Sequence, residues 1–191
     1  LFEAFAFAMK AFNVAEKYQL VVIILVDKYL MEVHAIFDYE KFKTINAAFK
    51  IDRGKMVSDQ EASTQTDYKR YALIDDGISP RTLPGQAGGI HLAGSDEHDE
   101  RGLYNEESEM RIHMMGKRFK KLEVAIAAGV FEAPVLYGSP DAPLTIVGFG
   151  STKLPILEAI KWLARENIQV NYLQVAFLLP FPAAQVADAI K

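Results

Sequence analysis

The sequence predicts an α/β fold, and three of its features carry that prediction. Apolar residues three and four positions apart predict an amphipathic helix over residues 2–18. The next stretch, LVVIILVD at 20–27, is apolar and rich in β-branched residues, as a strand covered on both faces of a parallel sheet is. Strand, helix, strand and helix patterns then alternate over residues 143–191, which indicates a βαβα unit with a right-handed crossover.

The other elements follow in chain order. Residues 36–93 combine short alternating pieces with Gly and Pro, which predicts loops and hairpins. A second helix is expected within 106–128, and PVLYGSPDAP (134–143) is interpreted as a linker. PLTIVGFGST (143–152) predicts a buried strand and a turn, and QVNYLQVAF (169–177) a further strand. Ser151 or Thr152 is expected to cap the helix between them, Asn167 to close it, and another helix to begin at Ala183.

Composition limits the possible functions. The net charge of −4 gives no electrostatic reason to expect nucleic acid or an anionic membrane as a partner. The chain has no cysteine, so it cannot itself hold a thiolate-bound iron-sulfur cluster or a Cys-based zinc site. The longest apolar run is about a third of the roughly 20 residues of a membrane span. We expect a cytoplasmic chain. We also expect it to be truncated at both ends, because it lacks an initiating Met and stops within a helical pattern.

The densest polar cluster is SDEHDERG at 95–102. Asp96, Glu97, Asp99 and Glu100 surround His98, a group that could bind a divalent cation or transfer protons. The spacing matches no strong metal motif, so no metal site is predicted. We favour a solvated acidic loop that forms salt bridges with a partner or with the basic helix 117–121.

Three further positions have two interpretations each. The Gly148, Gly150, Ser151 turn could bind an anion, although a tight strand-to-helix turn is favoured because the third glycine of a nucleotide fingerprint is missing. Asp27 could face a ligand at a strand end or cap a helix. Arg81, in a Pro-rich turn, could present its guanidinium to a carboxylate or phosphate ligand or fix the loop to a neighbouring carboxylate.

The remaining histidines and serines carry no prediction of chemistry. His34, His91 and His113 are isolated in sequence, where surface or packing roles are the common ones. Ser79 and Ser151 lack a glycine elbow, which excludes a serine hydrolase of that type. No catalytic residue is predicted within this chain.

Several consecutive segments resemble the alpha subunits of 2-oxoacid:ferredoxin oxidoreductases. They are ISPRTLPG (78–85), SDEHDERG (95–102) and RIHMMGKRFKKLE (111–123), in the family's order and spacing. Upstream, residues 11–30 resemble the last helix and strand of the family's pyrimidine-binding domain. Residues 143–160, continuing to LLPFP at 178–182, resemble the opening of its transketolase C-terminal-like domain.

The resemblance implies three parts. Residues 1–35 would end the pyrimidine-binding domain, 36–142 would be a connector rich in loops and hairpins with a helix, and 143–191 would begin the transketolase C-terminal-like α/β domain. It also implies an oxidoreductase complex that oxidatively decarboxylates a 2-oxoacid, forms its acyl-CoA and reduces ferredoxin. The implied partners are beta and gamma subunits, ferredoxin, coenzyme A and the 2-oxoacid, with thiamine diphosphate, Mg and iron-sulfur clusters in the complex.

This chain is expected to be inactive alone and to bind none of these cofactors by itself. The family's Tyr-Pro-Ile-Thr-Pro stretch and its magnesium motif are not in it. Asp27, Arg81 and the acidic loop are therefore candidates for an interface or for a position near the cofactor. Two alternatives stay open, which are a noncatalytic assembly or regulatory module of the same fold and a thiamine-dependent enzyme that does not use ferredoxin. A mild preference for 2-oxoglutarate or broad specificity rests on the resemblance alone.

Overall fold

The computed structural model describes residues 1–190, which form a mixed α/β structure. Its helices are α1 (Phe2–Tyr18), α2 (Lys28–Glu32), α3 (Tyr39–Ala48), α4 (Asp59–Thr64), α5 (Ser108–Ala127), α6 (Lys153–Arg165) and α7 (Ala183–Ala189). Its strands are β1 (Val135–Tyr137), β2 (Leu144–Gly148) and β3 (Val170–Gln174). The described chain divides into two compact units. The helical unit comprises 1–24 and 38–128, and the sheet unit comprises 25–37 and the residues from Gly129 onward.

The helical unit is organised around α1, which contacts both α3 and α5. The Phe42 ring of α3 lies 4.8 Å from the Phe2 ring and 5.0 Å from the Phe5 ring of α1. Val14 and Tyr18 of α1 are buried, as is Met114 of α5. The amphipathic stripe of α1, predicted over residues 2–18, therefore faces a core as expected.

The sheet unit is built on β3, which lies between β1 and β2. β3 pairs with β2 in parallel and with β1 in antiparallel orientation, and all five of its residues are buried. Helix α6 connects β2 to β3 and packs on β3. It ends in a Schellman motif, in which Asn167 adopts φ 59° and the Ile168 amide donates to the Leu163 carbonyl. The predicted strand, helix and strand, with Asn167 closing the helix, are confirmed. The predicted burial of the first strand is wrong, because Leu144 and Val147 of β2 are exposed.

The buried strand predicted over 20–27 is wrong for the described structure. Residues 20–27 form no strand, and residues 21–27 are exposed, with Val21 at 91% and Ile23 at 77% of full exposure. A strand exists only where its backbone N–H and C=O groups pair with a neighbour, and no segment within residues 1–190 pairs with this one. Its apolar composition indicates burial but cannot provide the neighbouring strand.

The hairpins predicted within 36–93 are also wrong. Helices α3 and α4 occupy part of this stretch, and Tyr68–Ile74 lies in turns and irregular backbone. The missed signals are at the helix starts. Asp38 accepts from the Glu40 amide, and Ser58 with Glu61 forms a capping box at the start of α4. The loop prediction holds for 65–93, where the ladder contact among described residues is the isolated bridge between Met56 and Arg81.

Two smaller predictions need correction. The predicted linker 134–143 contains strand β1, which pairs at the edge of the sheet. Because β1 is only three residues long, its sequence shows no alternation from which a strand could be identified. Thr152 precedes α6, but neither its side chain nor that of Ser151 caps the helix. The Thr152 hydroxyl instead donates to the Phe149 carbonyl at 2.7 Å, because a 3-10 turn over Gly150–Thr152 leads into the helix.

Candidate functional site

The candidate site of the helical unit consists of two loops that one short segment joins. The loops are the Arg81 turn (78–82) and the acidic loop (95–102), and we call 67–73 the bridging segment. The Tyr68 hydroxyl donates to the Pro80 carbonyl at 3.2 Å and accepts from the Thr82 amide at 3.0 Å. On the other side, Glu100 accepts from Lys69 and from the Leu73 amide. Two loops about fifteen residues apart in sequence are thus held by the same segment.

Arg81 is fixed from both its backbone and its side chain. Its amide donates to the Lys55 carbonyl at 3.0 Å, and its carbonyl accepts from the Val57 amide at 2.9 Å. The guanidinium forms a salt bridge with Glu16 of α1, a contact that is only partly exposed. Of the two interpretations offered for Arg81, the structure shows the contact with a neighbouring carboxylate. The turn is therefore anchored to α1.

Two of the four carboxylates of the acidic loop form salt bridges within the chain. Glu97 pairs with Arg118 of α5, and Glu100 pairs with Lys69 at 2.9 Å. The hydrogen bond from Arg118 lowers the pKa of Glu97, and the hydrogen bond from Lys69 lowers that of Glu100. Asp99 accepts from the Arg101 and Leu103 amides and so shapes the turn. The favoured prediction, salt bridges from this loop to the basic helix, is confirmed for Glu97.

His98 packs against an aromatic ring. Its centroid lies 4.2 Å from that of Tyr71, and its Nδ1 lies 2.8 Å from the Asp99 carbonyl oxygen. His91 also contacts the rings of Tyr68 and Tyr71. Within residues 1–190, no group of three or more His, Asp or Glu side chains is arranged to hold a metal ion. These two histidines therefore contribute packing around the bridging segment.

An open cavity of about 930 Å³ lies beside the acidic loop. Its lining includes the exposed Asp96, together with Glu97, Tyr104, Asn105, Glu106 and Arg111. The Tyr104 hydroxyl donates to the Glu106 carboxylate, which raises the pKa of Tyr104. Among the acidic residues predicted as candidates in this loop, Asp96 is exposed, whereas Glu97, Asp99 and Glu100 are half-buried.

Asp27 belongs to the sheet unit and has a capping role. Its Oδ1 accepts from the Leu30 amide at 2.8 Å, which caps α2, and its Oδ2 accepts from the Ser151 amide at 3.2 Å. Hydrogen bonding from Ser151, and then from Leu30, lowers the pKa of Asp27. The turn at Gly150 has φ 67°, so the tight-turn interpretation of this segment is confirmed, and its amide faces a carboxylate of the same chain. Asp27 is therefore a cap rather than the end of a strand.

Lys117 and Gln19 also hold the Arg81 turn, and neither role was predicted from the sequence. The Lys117 side chain is buried, and its Nζ donates to the Gly77 carbonyl at 2.7 Å and to the Ser79 hydroxyl. Ser79 in turn donates to the Ala72 carbonyl, which links the Arg81 turn to the bridging segment. Gln19 donates to the Ser79 carbonyl at 2.6 Å. The signal for Lys117 was its position in line with Met114 on the buried face of α5, where a lysine is unusual.

Two salt bridges of these loops, Arg81–Glu16 and Arg101–Asp67, are expected to contribute unequally to the free energy of unfolding. We expect Arg81→Ala to lower the free energy of unfolding by about 1–3 kcal/mol, because it leaves the partly buried Glu16 without this partner. Arg101→Ala is the matched control, since Arg101 and Asp67 are each about half exposed and such pairs contribute roughly 0–1 kcal/mol. Urea unfolding of both variants measures the difference. Equal losses would show that the Arg81 contact is no stronger than a surface pair.

Comparison with known proteins identifies the relatives of this chain. It is 41% identical to a 2-oxoacid:ferredoxin oxidoreductase 2 subunit alpha of Aeropyrum pernix over 99% of its length, and 39% identical to the corresponding subunit of Saccharolobus solfataricus over 94%. In each case it spans 28% of the relative. No protein-family model matches the chain.

A solved structure shares the fold as well. The chain superposes on 2-oxoglutarate:ferredoxin oxidoreductase from Magnetococcus marinus, determined with 2-oxoglutarate, coenzyme A and succinyl-CoA bound, with a TM-score of 0.70 and 30% identity. The match covers 92% of this chain and 29% of that one. Sequence and fold thus agree over nearly the whole chain with part of these 2-oxoacid:ferredoxin oxidoreductases, and the chain spans somewhat more than a quarter of their length.

Proposed function

We propose that this chain forms part of the alpha subunit of a complex that converts a 2-oxoacid and coenzyme A to acyl-CoA and CO2 and transfers the electrons to ferredoxin. The observation that carries the proposal is the 41% identity to such a subunit over 99% of the chain. The Magnetococcus marinus neighbour, which binds 2-oxoglutarate and coenzyme A, supports the same reaction class.

Thiamine diphosphate would supply the carbanion chemistry of this reaction, and iron-sulfur clusters would carry the electrons. The chain has no cysteine for a cluster, so the clusters would be held elsewhere in the complex. We also assign thiamine diphosphate and Mg to the rest of the complex, including beta and gamma subunits, as the family resemblance implies. This chain contributes packing and loop placement.

The domain division remains part of the proposal. Residues 1–35 would complete a pyrimidine-binding domain, 36–142 would connect it, and 143–191 would begin a transketolase C-terminal-like domain. The exposed apolar run at 21–26 supports the first assignment, because such a segment needs a neighbouring strand to cover it. The β2, α6, β3 unit supports the last.

The Arg81 turn and the acidic loop would together form a subunit interface near the cofactor or the coenzyme A entrance. Their shared attachment to the bridging segment supports this, since a partner that contacts one loop orders the other. Hydrogen exchange tests it. Amides of both loops are expected to gain protection when the chain enters the complex, relative to the surface of α6 as an internal control. Equal exchange in both states would refute the interface.

The activity itself is tested by dye reduction. The reconstituted complex should reduce a viologen dye only when both a 2-oxoacid and coenzyme A are present. Parallel assays with 2-oxoglutarate, pyruvate and a branched-chain 2-oxoacid identify the substrate, and 2-oxoglutarate is the one we expect. Absence of reduction with every 2-oxoacid would refute the proposed function.

A further inference from the structure

Three cationic side chains of the helical unit converge where α1 ends. Arg70 donates to the Gln19 side-chain oxygen at 3.0 Å, and Lys121 Nζ lies 3.3 Å from the Gln19 carbonyl oxygen. Lys117 Nζ reaches the same network through the Ser79 hydroxyl, because Gln19 donates to the Ser79 carbonyl. We call Arg70, Lys117 and Lys121 the cation cluster. They come from two distant parts of the chain; Arg70 and Lys121 contact Gln19 directly, and Lys117 is linked to it through Ser79.

The hydrogen-bond partners given for this cluster are neutral. They are two backbone carbonyls, a hydroxyl and an amide oxygen. Among residues 1–190, no carboxylate oxygen lies within 4.0 Å of a cluster nitrogen. The acidic groups that act on Lys117 from nearby, Asp76 and Glu100, already form salt bridges with Lys55 and Lys69. The cluster thus carries more positive charge than its surroundings neutralise.

The cations repel one another in a partly desolvated place. Burial, followed by the charges of Lys121 and Arg70, lowers the pKa of Lys117 to about 8. Burial and then Arg70 and Arg118 lower the pKa of Lys121. The carboxyl end of α1 offsets only about half an elementary charge through its dipole. Buried charge of this kind is normally paired with a charge of opposite sign.

We propose that the cation cluster binds a phosphoryl anion. Arg70 and Lys121, which are half-buried, supply donors to the anion, and the buried Lys117 adds positive charge to the cluster. A tetrahedral dianion suits a guanidinium and an ammonium that approach from different elements, and it offsets more than one of the three charges. Binding of free phosphate here does not depend on the oxidoreductase function, whereas binding of a coenzyme A phosphate would rest on the proposed function.

Calorimetric titration with inorganic phosphate at fixed ionic strength tests the proposal on the protein expressed from its full-length gene. Arg70→Gln and Lys121→Gln should each weaken phosphate binding by about tenfold or more, as loss of a charge-assisted hydrogen bond does. Lys120→Gln is the matched control, because Lys120 is an exposed neighbour on the same helix paired with Glu123. It should change the affinity less than twofold. No phosphate binding by the unsubstituted protein, or equal loss in all three variants, would overturn the proposal.

A second measurement needs no variant. Phosphate should slow acetylation of Lys121 by an amine-reactive reagent several-fold while Lys120 reacts at an unchanged rate, as followed by mass spectrometry. Equal rates of Lys121 acetylation with and without phosphate would overturn the site.

Titrations with coenzyme A and with its analogue lacking the 3′-phosphate then distinguish a coenzyme A phosphate from free phosphate as the ligand. If coenzyme A competes with inorganic phosphate and the analogue does not, the site binds the 3′-phosphate of coenzyme A. If neither molecule competes, the site binds free phosphate.

Discussion

Leu173→Ala is expected to lower the free energy of unfolding of the sheet unit by about 2–5 kcal/mol, the range for removing a fully buried leucine side chain. Leu173 of β3 is 2% exposed and pairs with Leu136 of β1 and Val147 of β2. Truncation leaves a cavity that three short strands cannot close without losing their register. Denaturant unfolding followed by fluorescence of Trp162, the single tryptophan, measures the loss in this unit.

Leu144→Ala is the control for this prediction. Leu144 lies on the neighbouring β2, but it is 57% exposed, so its truncation should cost less than about 1 kcal/mol. The two variants remove the same atoms from adjacent strands and differ in burial. Equal destabilisation would contradict the assignment of β3 as the core strand of this unit.

The second large effect is a pH dependence caused by Lys117. Its folded pKa, about 8, lies below the ordinary 10.5, so the folded state disfavours the protonated amine. Between these values the unfolded chain binds the proton and the folded chain does not, so stability rises with pH through this window. Between pH 7 and 10.5, the free energy of unfolding of the protein should therefore rise by about 3 kcal/mol more than that of the Lys117→Met variant.

Urea unfolding at several pH values, in phosphate-free buffer, measures this difference between the two proteins. Taking the difference removes most of the titration of other groups, including Lys121 and Arg70, which face Lys117 in both. Lys120→Met provides the control, since this exposed lysine should show no such gain. A flat difference for Lys117→Met would show that its amine is not desolvated.

The elements that could be predicted from sequence are those whose determinants are local. α1, α5, α6 and β3 have long apolar periodicity or compact apolar runs, and the structure has each of them. The strand prediction for 20–27 was wrong because a strand requires a neighbouring strand to pair with, and the apolar pattern of one segment does not show whether that neighbour exists. α4 was predictable from Ser58 and Glu61, whose spacing forms a capping box.

The candidate site shows the same division. The ion pair between Glu97 and the basic helix could be expected from charge alone, and the caps at Asp27 and Asn167 from residue type. The position of Tyr68 between two loops could not, since it depends on three segments meeting. Nor could the convergence of Arg70 and Lys121 on Gln19, which lies 102 residues before Lys121.

The proposed function places this chain in a complex that couples decarboxylation to electron transfer and acyl-CoA formation. The direct test measures CO2, acyl-CoA and reduced viologen together in the reconstituted complex. We expect equal amounts of CO2 and acyl-CoA, with two one-electron-reduced viologens for each, because oxidation of the acyl carbon releases one electron pair. Release of CO2 without reduced dye or acyl-CoA would contradict the account and indicate a thiamine-dependent decarboxylase instead.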